Sequence, residues 1–225
     1  SGQETCQACQ GGRYQPLVGA TSCLACERGA HCKEGASAAL LCASGTYTNA
    51  TNASSAADCT QCPEGHASAT GTAEPVICGA GSAAVAGSAV CTRCAAGKHQ
   101  GAEGQAGCIE CPAGSACAEG AVAPVACSAG SMAPTARLSV CDACPGGRYQ
   151  PLASGTACLA CERGAHCKEG ASAALLCASG TFTNATNAPT AADCPQRPEG
   201  HARATGTAAP ATCGAGTAAA AGRPA

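Results

Sequence analysis

Cys9-Gln10-Gly11-Gly12 and Cys26-Glu27-Arg28-Gly29 are the first two copies of a four-residue box, Cys-x-x-Gly. The box returns at Cys42, Cys62, Cys78, Cys94, Cys111, Cys127, Cys144, Cys161, Cys177 and Cys213. One more copy, Arg197-Pro198-Glu199-Gly200, has Arg in the cysteine position. The step from box to box is nearly constant, as from Cys9 to Cys26 and from Cys26 to Cys42. It lengthens only twice, from Cys42 to Cys62 and from Cys177 to Arg197. A fixed period this short marks a tandem-repeat architecture, in which each repeat leans on its neighbours.

Composition excludes an ordinary globular core. Leu, Ile, Val and Phe number 19 in 225 residues, about 8%, and there is no Trp. That is well under the roughly 20% below which chains tend to stay disordered, so apolar burial cannot offset the entropy of folding. The net charge of -2 is not that of a disordered polyelectrolyte either. The 23 cysteines resolve the conflict. About one residue in ten is the density of a disulfide scaffold, which persists in oxidising compartments. In the loop-entropy model a bridge closing a ~15-residue loop contributes about 3 kcal/mol. The expected fold is small and disulfide-rich: short β-hairpins and irregular loops in an elongated rod of 16–20-residue units, with little or no helix. The box glycine supplies a turn and strand-forming residues follow it, as in Arg13-Tyr14-Gln15, Thr46-Tyr47-Thr48 and Thr181-Phe182-Thr183. The Ala-rich stretches 36–41, 171–176 and 217–221 are too short for isolated helices and are expected as loops or single turns.

A longer period overlies the short one. Residues 23–46 and 158–181 are identical letter for letter, and the offset from Cys23 to Cys158 equals eight boxes. The organisation is therefore a first super-repeat, 1–140, with a long loop at 46–58, and the start of a second, 141–225, with the matching loop at 181–193. The chain opens Ser1-Gly2-Gln3, without Met or a signal peptide, and stops just before the match to Cys91. We expect a segment of a longer secreted array. No run of eighteen apolar residues implies membrane insertion. The near-neutral charge gives no reason to expect nucleic acid as a partner.

The cysteines sort into openers, one per box, and closers. The commonest closer lies three places before the next box. It suggests Cys9–Cys23, Cys42–Cys59, Cys78–Cys91, Cys94–Cys108, Cys127–Cys141, Cys144–Cys158 and Cys177–Cys194. A second type lies six places after its opener and suggests Cys26–Cys32, Cys111–Cys117 and Cys161–Cys167; there the usual position holds Ala39, Pro124 and Ala174. Three cysteines remain. Cys6 would close a repeat before Ser1, and Cys213 would be closed beyond Ala225. Cys62 has Pro75 where its closer should be; it is expected to be free, capped or intermolecular. A knotted alternative pairs Cys26 with Cys42 and Cys32 with Cys59, and spacing alone leaves it open.

Chemistry-bearing motifs are few. Asn49-Ala50-Thr51 and Asn52-Ala53-Ser54 are adjacent acceptor sequons for N-linked glycan, and Asn184-Ala185-Thr186 repeats the first. The fourth Asn, Asn187, has lost its sequon to Pro189. All lie in the two long repeats, so Asn49, Asn52 and Asn184 are candidate glycan carriers on exposed loops. The spacing of Cys6, Cys9, Cys23 and Cys26, repeated over 141–161, is that of a zinc ribbon. Zinc would leave Cys32, Cys42, Cys117 and Cys127 without a role. Tyr14, Tyr47, Tyr149 and Phe182 share the fifth place after an opener with His31, His99 and His166; a ring there could shield a neighbouring disulfide. A Cys–His nucleophile is formally available, but these histidines, with His66 and His201, read as surface or ring-packing residues. Glu27, Arg28, Lys33 and Glu34 recur as Glu162, Arg163, Lys168 and Glu169, a solvated face or a repeated contact strip. No catalytic residue, cofactor or metal is assigned.

Cys141-Asp142-Ala143-Cys144-Pro145-Gly146-Gly147-Arg148-Tyr149, closing with Cys158-Leu159-Ala160-Cys161, resembles the ephrin-receptor-like cysteine-rich repeats, close in style to TNF-receptor-like modules. Cys108-Ile109-Glu110-Cys111-Pro112-Ala113-Gly114 is a second such run. The resemblance implies small disulfide-laddered β-modules of the extracellular space. The closer at the sixth place and the cysteine-free box at Arg197 depart from the TNF-receptor pattern. The Ala content and literal repetition look more like a protist or algal surface protein. The expected function is structural, in a cell-surface filament, flagellar hair, wall or coat. Self-association or other extracellular structural proteins are the expected partners, with N-linked glycans attached. A receptor or adhesin ectodomain is the alternative, using Gly79 to Ser139, most of which has no second copy here.

Overall fold

The computed structural model describes residues 6–202 and 210–221. Eleven two-stranded sheets run through them, and each strand is two residues long. The first strand of a hairpin follows a box glycine and the second precedes the next box. Arg13 thus faces Ala25 and Tyr14 faces Leu24, antiparallel. One super-repeat later Arg148 faces Ala160 and Tyr149 faces Leu159. Among the described residues helix is confined to two single 3-10 turns, Ala56–Asp58 and Ala191–Asp193.

The Ala-rich stretches require a correction. Leu40–Leu41 and Leu175–Leu176 are strands, pairing with Ala30–His31 and Ala165–His166; residues 217–220 are irregular. The two residues before a box pair as a strand even where they are Leu-Leu, because the opener N–H is tied to the preceding box glycine. The repeat opened by Cys177 keeps a single bridge, Thr181 with Gln196. Pro195 stands there in place of Thr60 and has no N–H to donate.

A recurring set of four backbone hydrogen bonds joins a repeat to its neighbour. At the first junction Cys26 N–H donates to the Gly12 carbonyl (2.8 Å), Gly12 N–H to Cys32 (2.7 Å), Gln15 N–H to Ala36 (3.1 Å) and Gly35 N–H to Cys9 (2.8 Å). The matching junction of the second super-repeat has Cys161 to Gly147, Gly147 to Cys167, Gln150 to Ala171 and Gly170 to Cys144. Each is worth on the order of 1 kcal/mol net, and together they satisfy backbone groups that the cysteine column shuts off from water. The box glycine is required twice over. Gly12 has φ 87°, and a Cβ there would run into the backbone carbonyl of Asn52, two repeats on.

The interior has an unusual makeup. Every buried apolar side chain among the described residues is Cys or Ala. Seventeen of the 19 Leu, Ile, Val and Phe side chains are exposed, and the other two, Leu138 and Phe182, are half-buried. The sixth place after the opener is the slot on which the preceding glycine docks. It is buried in Cys32, Thr48, Ser68, Ala84, Gln100, Cys117, Ala133, Gln150, Cys167 and Thr183. Where the slot holds Gln, the side chain becomes a clasp. Gln100 donates to the Gly107 carbonyl (2.8 Å) and accepts from Ala102 N–H (3.1 Å), while Gln150 donates to Ala157 and accepts from Leu152.

The bridges join ten pairs: Cys9–Cys23, Cys26–Cys32, Cys42–Cys59, Cys78–Cys91, Cys94–Cys108, Cys111–Cys117, Cys127–Cys141, Cys144–Cys158, Cys161–Cys167 and Cys177–Cys194. These are the opener–closer pairs of the local scheme, so the knotted pairs Cys26–Cys42 and Cys32–Cys59 do not form. Cys6, Cys62 and Cys213 carry no bridge. Tyr14 packs on the Cys26, Ala30 and Cys32 cluster, and Tyr149 on Cys161, Ala165 and Cys167.

Contacts divide the chain into two compact parts. One comprises residues up to Ile109 with Glu119–Ala123, and the other Glu110–Ala118 with everything from Pro124 on. This division follows packing, and the 140/141 division follows the period of the sequence; the two are different boundaries. Glu110 and Arg137, both in the second part, form an exposed ion pair at 3.3 Å, of a kind worth little in water.

Candidate functional site: the sequon loops

The two long repeats hold the candidate acceptors, and their extra residues fold into a local structure of their own. In the first, the Cys42–Cys59 bridge closes the loop and the 3-10 turn Ala56–Asp58 precedes the closer. The Asp58 carboxylate accepts from Ser54 N–H (2.8 Å), Ser55 N–H (2.9 Å) and the Ser54 hydroxyl (3.2 Å). The backbone donors at Ser55 and then Ser54 hold its carboxyl below the ordinary value. In the second loop Asp193 accepts from Thr190 N–H (2.9 Å) and the Thr190 hydroxyl (2.8 Å). The Thr190 hydroxyl and then its N–H hold the Asp193 carboxyl below the ordinary value. Pro189 replaces Ser54, so the extra donors of the first loop have no counterpart.

The acceptor asparagines occupy two different environments. Asn49, Ala50 and Thr51 are all exposed, as are Asn184, Ala185 and Thr186. Asn52 is exposed too, but its backbone is in the left-handed region at φ 60°. Its N–H donates to the Cys26 carbonyl (2.9 Å) and its own carbonyl lies against Gly12. Ala53, the middle residue of that sequon, is buried and accepts from Cys32 N–H (2.9 Å). Asn187 and Ala188 repeat this arrangement, with φ 60° and bonds to Cys161 and Cys167. Sequence reasoning misses the turn role of Asn52. Its signal is the register, since Gly19 and Gly104 hold the same tenth place after their openers.

The other candidates lie apart from these loops. Cys62 is 1% exposed, so capping or an intermolecular bond would require its repeat to open. Arg197, in the matching place, is 2% exposed and keeps the opener's backbone bond to Gly180 (2.9 Å). A zinc ribbon would need Cys9, Cys23 and Cys26 as thiolates, and all three are in disulfides. His66 and His201 set Nδ1 at 3.0 Å from the carbonyls of Glu64 and Glu199, which makes Nδ1 the protonated nitrogen. His31, His99 and His166 are half-buried. Glu27, Arg28, Lys33, Glu34, Glu162, Arg163, Lys168 and Glu169 are all exposed. Among the described residues no helix is long and apolar enough to cross a membrane.

Residues 1–40 match the family described as tyrosine-protein kinase ephrin type A/B receptor-like. Comparison of the chain with curated proteins gives no match. The matched stretch contains the Cys9–Cys23 and Cys26–Cys32 bridges and their first junction of backbone bonds. Together, the match and the ladder of disulfide-linked hairpins show that the chain carries an ephrin-receptor-like cysteine-rich repeat, a module that fits an extracellular domain.

Proposed function

We propose that this chain is a stretch of an extracellular structural array, in a cell-surface filament, flagellar hair, wall or coat, reached through the secretory pathway and without catalytic activity. The observation that carries this reading is the outward placement of its aliphatic side chains. Burying Leu, Ile or Val normally contributes about 1.5–3 kcal/mol per side chain, and here that energy is left available to a partner. Leu40–Leu41 and Leu175–Leu176 present the same exposed pair one super-repeat apart along the chain. The same exposed pair returning with each copy of the sequence suits a partner that also repeats, a second copy of the array or another structural protein. The exposed charges at 27–34 and 162–169 balance in sign and would not oppose such contact.

Sedimentation and electron microscopy of the secreted, oxidised protein test this. The expected result is concentration-dependent lateral association, lost when Leu40, Leu41, Leu175 and Leu176 are replaced by Asp. A monomer at every concentration that captures a separate soluble protein would instead support a receptor or adhesin. For that reading the favouring feature is the stretch from Gly79 to Ser139, unduplicated here from Cys91 on.

A further inference from the structure

The three sequons differ in what the fold asks of them. We propose that Asn49 and Asn184 carry the glycans, one per super-repeat, whereas Asn52 is retained for its backbone and stays unmodified. The inference rests on the secretory reading above and refines it to individual residues.

Transfer requires the Asn carboxamide to bond to the anomeric carbon of a lipid-diphosphate-linked oligosaccharide. The anomeric C–O bond breaks, the lipid diphosphate leaves, and the nitrogen gives up one proton. The acceptor segment must be free to enter an enzyme, with its hydroxyl available two residues on. Asn49-Ala50-Thr51 and Asn184-Ala185-Thr186 meet this condition, with all six residues exposed. Asn52-Ala53-Ser54 does not. Ala53 is buried under the Cys32 N–H, Asn52 is docked between Cys26 and Gly12, and the Ser54 hydroxyl and N–H are taken by Asp58. The Ser54–Asp58 bonds span four residues, so they can form while the chain is still being made. A glycan on Asn49 would further crowd an acceptor three places away.

A separate reason explains why Asn stands at position 52 at all. The tenth place after the opener needs positive φ in Asn52, Arg137, Ser154 and Asn187, and in Gly19 and Gly104. After Gly, Asn is among the residues that adopt this conformation most readily. Asn187 holds the place although Pro189 has abolished its sequon, so the position takes Asn without any glycan. The sequon at Asn52 is then a by-product of a turn residue followed two places later by Ser.

The test is site-resolved mass spectrometry of the full chain secreted from eukaryotic cells, with enzymatic deglycosylation in heavy-oxygen water to tag each formerly glycosylated Asn. The expected result is a tag at Asn49 and Asn184 and at least tenfold less at Asn52. Asn49→Gln should remove one glycan mass from the intact protein, and Asn52→Gly should remove none and leave the melting temperature unchanged. Occupancy of Asn52 comparable to Asn49 overturns the inference while leaving the secretory reading in place. Absence of a tag at all three sites counts against both.

Discussion

The repeat opened by Cys62 and its counterpart in the second super-repeat, opened by Arg197, are a natural experiment on what holds this molecule together. Elsewhere, Cys213 apart, the opener is a bridged cysteine. At Cys62 the sulfur is buried without a partner, and at Arg197 there is no sulfur at all. Both residues are nevertheless buried, and both donate the opener N–H to the preceding box glycine, Gly45 (3.0 Å) and Gly180 (2.9 Å). The box glycines of these repeats, Gly65 and Gly200, still donate to the sixth place of the next repeat, Ala84 and Ala219. The difference teaches that the register of the array belongs to the backbone junctions and the box glycine. The disulfides make the array resistant to unfolding, and single ones are expendable.

Substitution of a box glycine should break this most severely. Gly147→Ala places a Cβ against the Asn187 carbonyl at φ 85°, and strain of that kind costs on the order of 3 kcal/mol or more. The expected outcome is loss of secretion, or a melting transition lowered by many degrees in calorimetry. Next in size is removal of one bridge from a fully paired repeat. Replacing Cys42 and Cys59 together by Ser opens the longer loop, for about 3 kcal/mol, and replacing Cys26 and Cys32 the shorter one, for about 2.4 kcal/mol. Denaturant unfolding of the double variants should rank them in that order. Cys62→Ala should cost only about 1 kcal/mol, the loss of one buried sulfur's contacts. If it costs as much as a bridge, the comparison with Arg197 fails.

The smallest effect distinguishes the two sequon loops. Asp58 and Asp193 have folded-state pKa values below the ordinary 3.8. Their contribution is therefore fully present above that value and is lost as pH falls through the lower, folded value. Exchange protection of the Ser55 and Thr190 amides should be flat near neutral pH and drop in the acid range below about pH 4. Asp58→Asn should flatten the profile at Ser55 and leave Thr190 unchanged.

Much of this was legible in the sequence because the boxes mark it. Cysteine spacing carries the bridges, since an opener and a closer separated by 13, 14 or 17 residues are brought together by a single hairpin, and those separated by 6 by the box turn and its first strand. The scarcity of Leu, Ile and Val foretold a core built of something else. What stayed hidden lies between repeats. Nothing in the local sequence of Leu40–Leu41 shows a strand, because its register comes from Cys42 N–H bonding back to Gly29 in the preceding box (2.9 Å). Asn52 reads as a modification site when taken with its own neighbours. Only its contacts with Cys26 and Gly12, in the two preceding repeats, reveal a turn residue.

The local pairing of opener with closer is tested most directly by peptide mapping of the unreduced protein after thiols have been alkylated in denaturant. The expected map joins Cys26 to Cys32 and Cys42 to Cys59 and finds Cys62 alkylated, and labelled slowly or not at all when the denaturant is left out. A Cys62–Cys78 peptide, or Cys26 joined to Cys42 with Cys32 joined to Cys59, would contradict it.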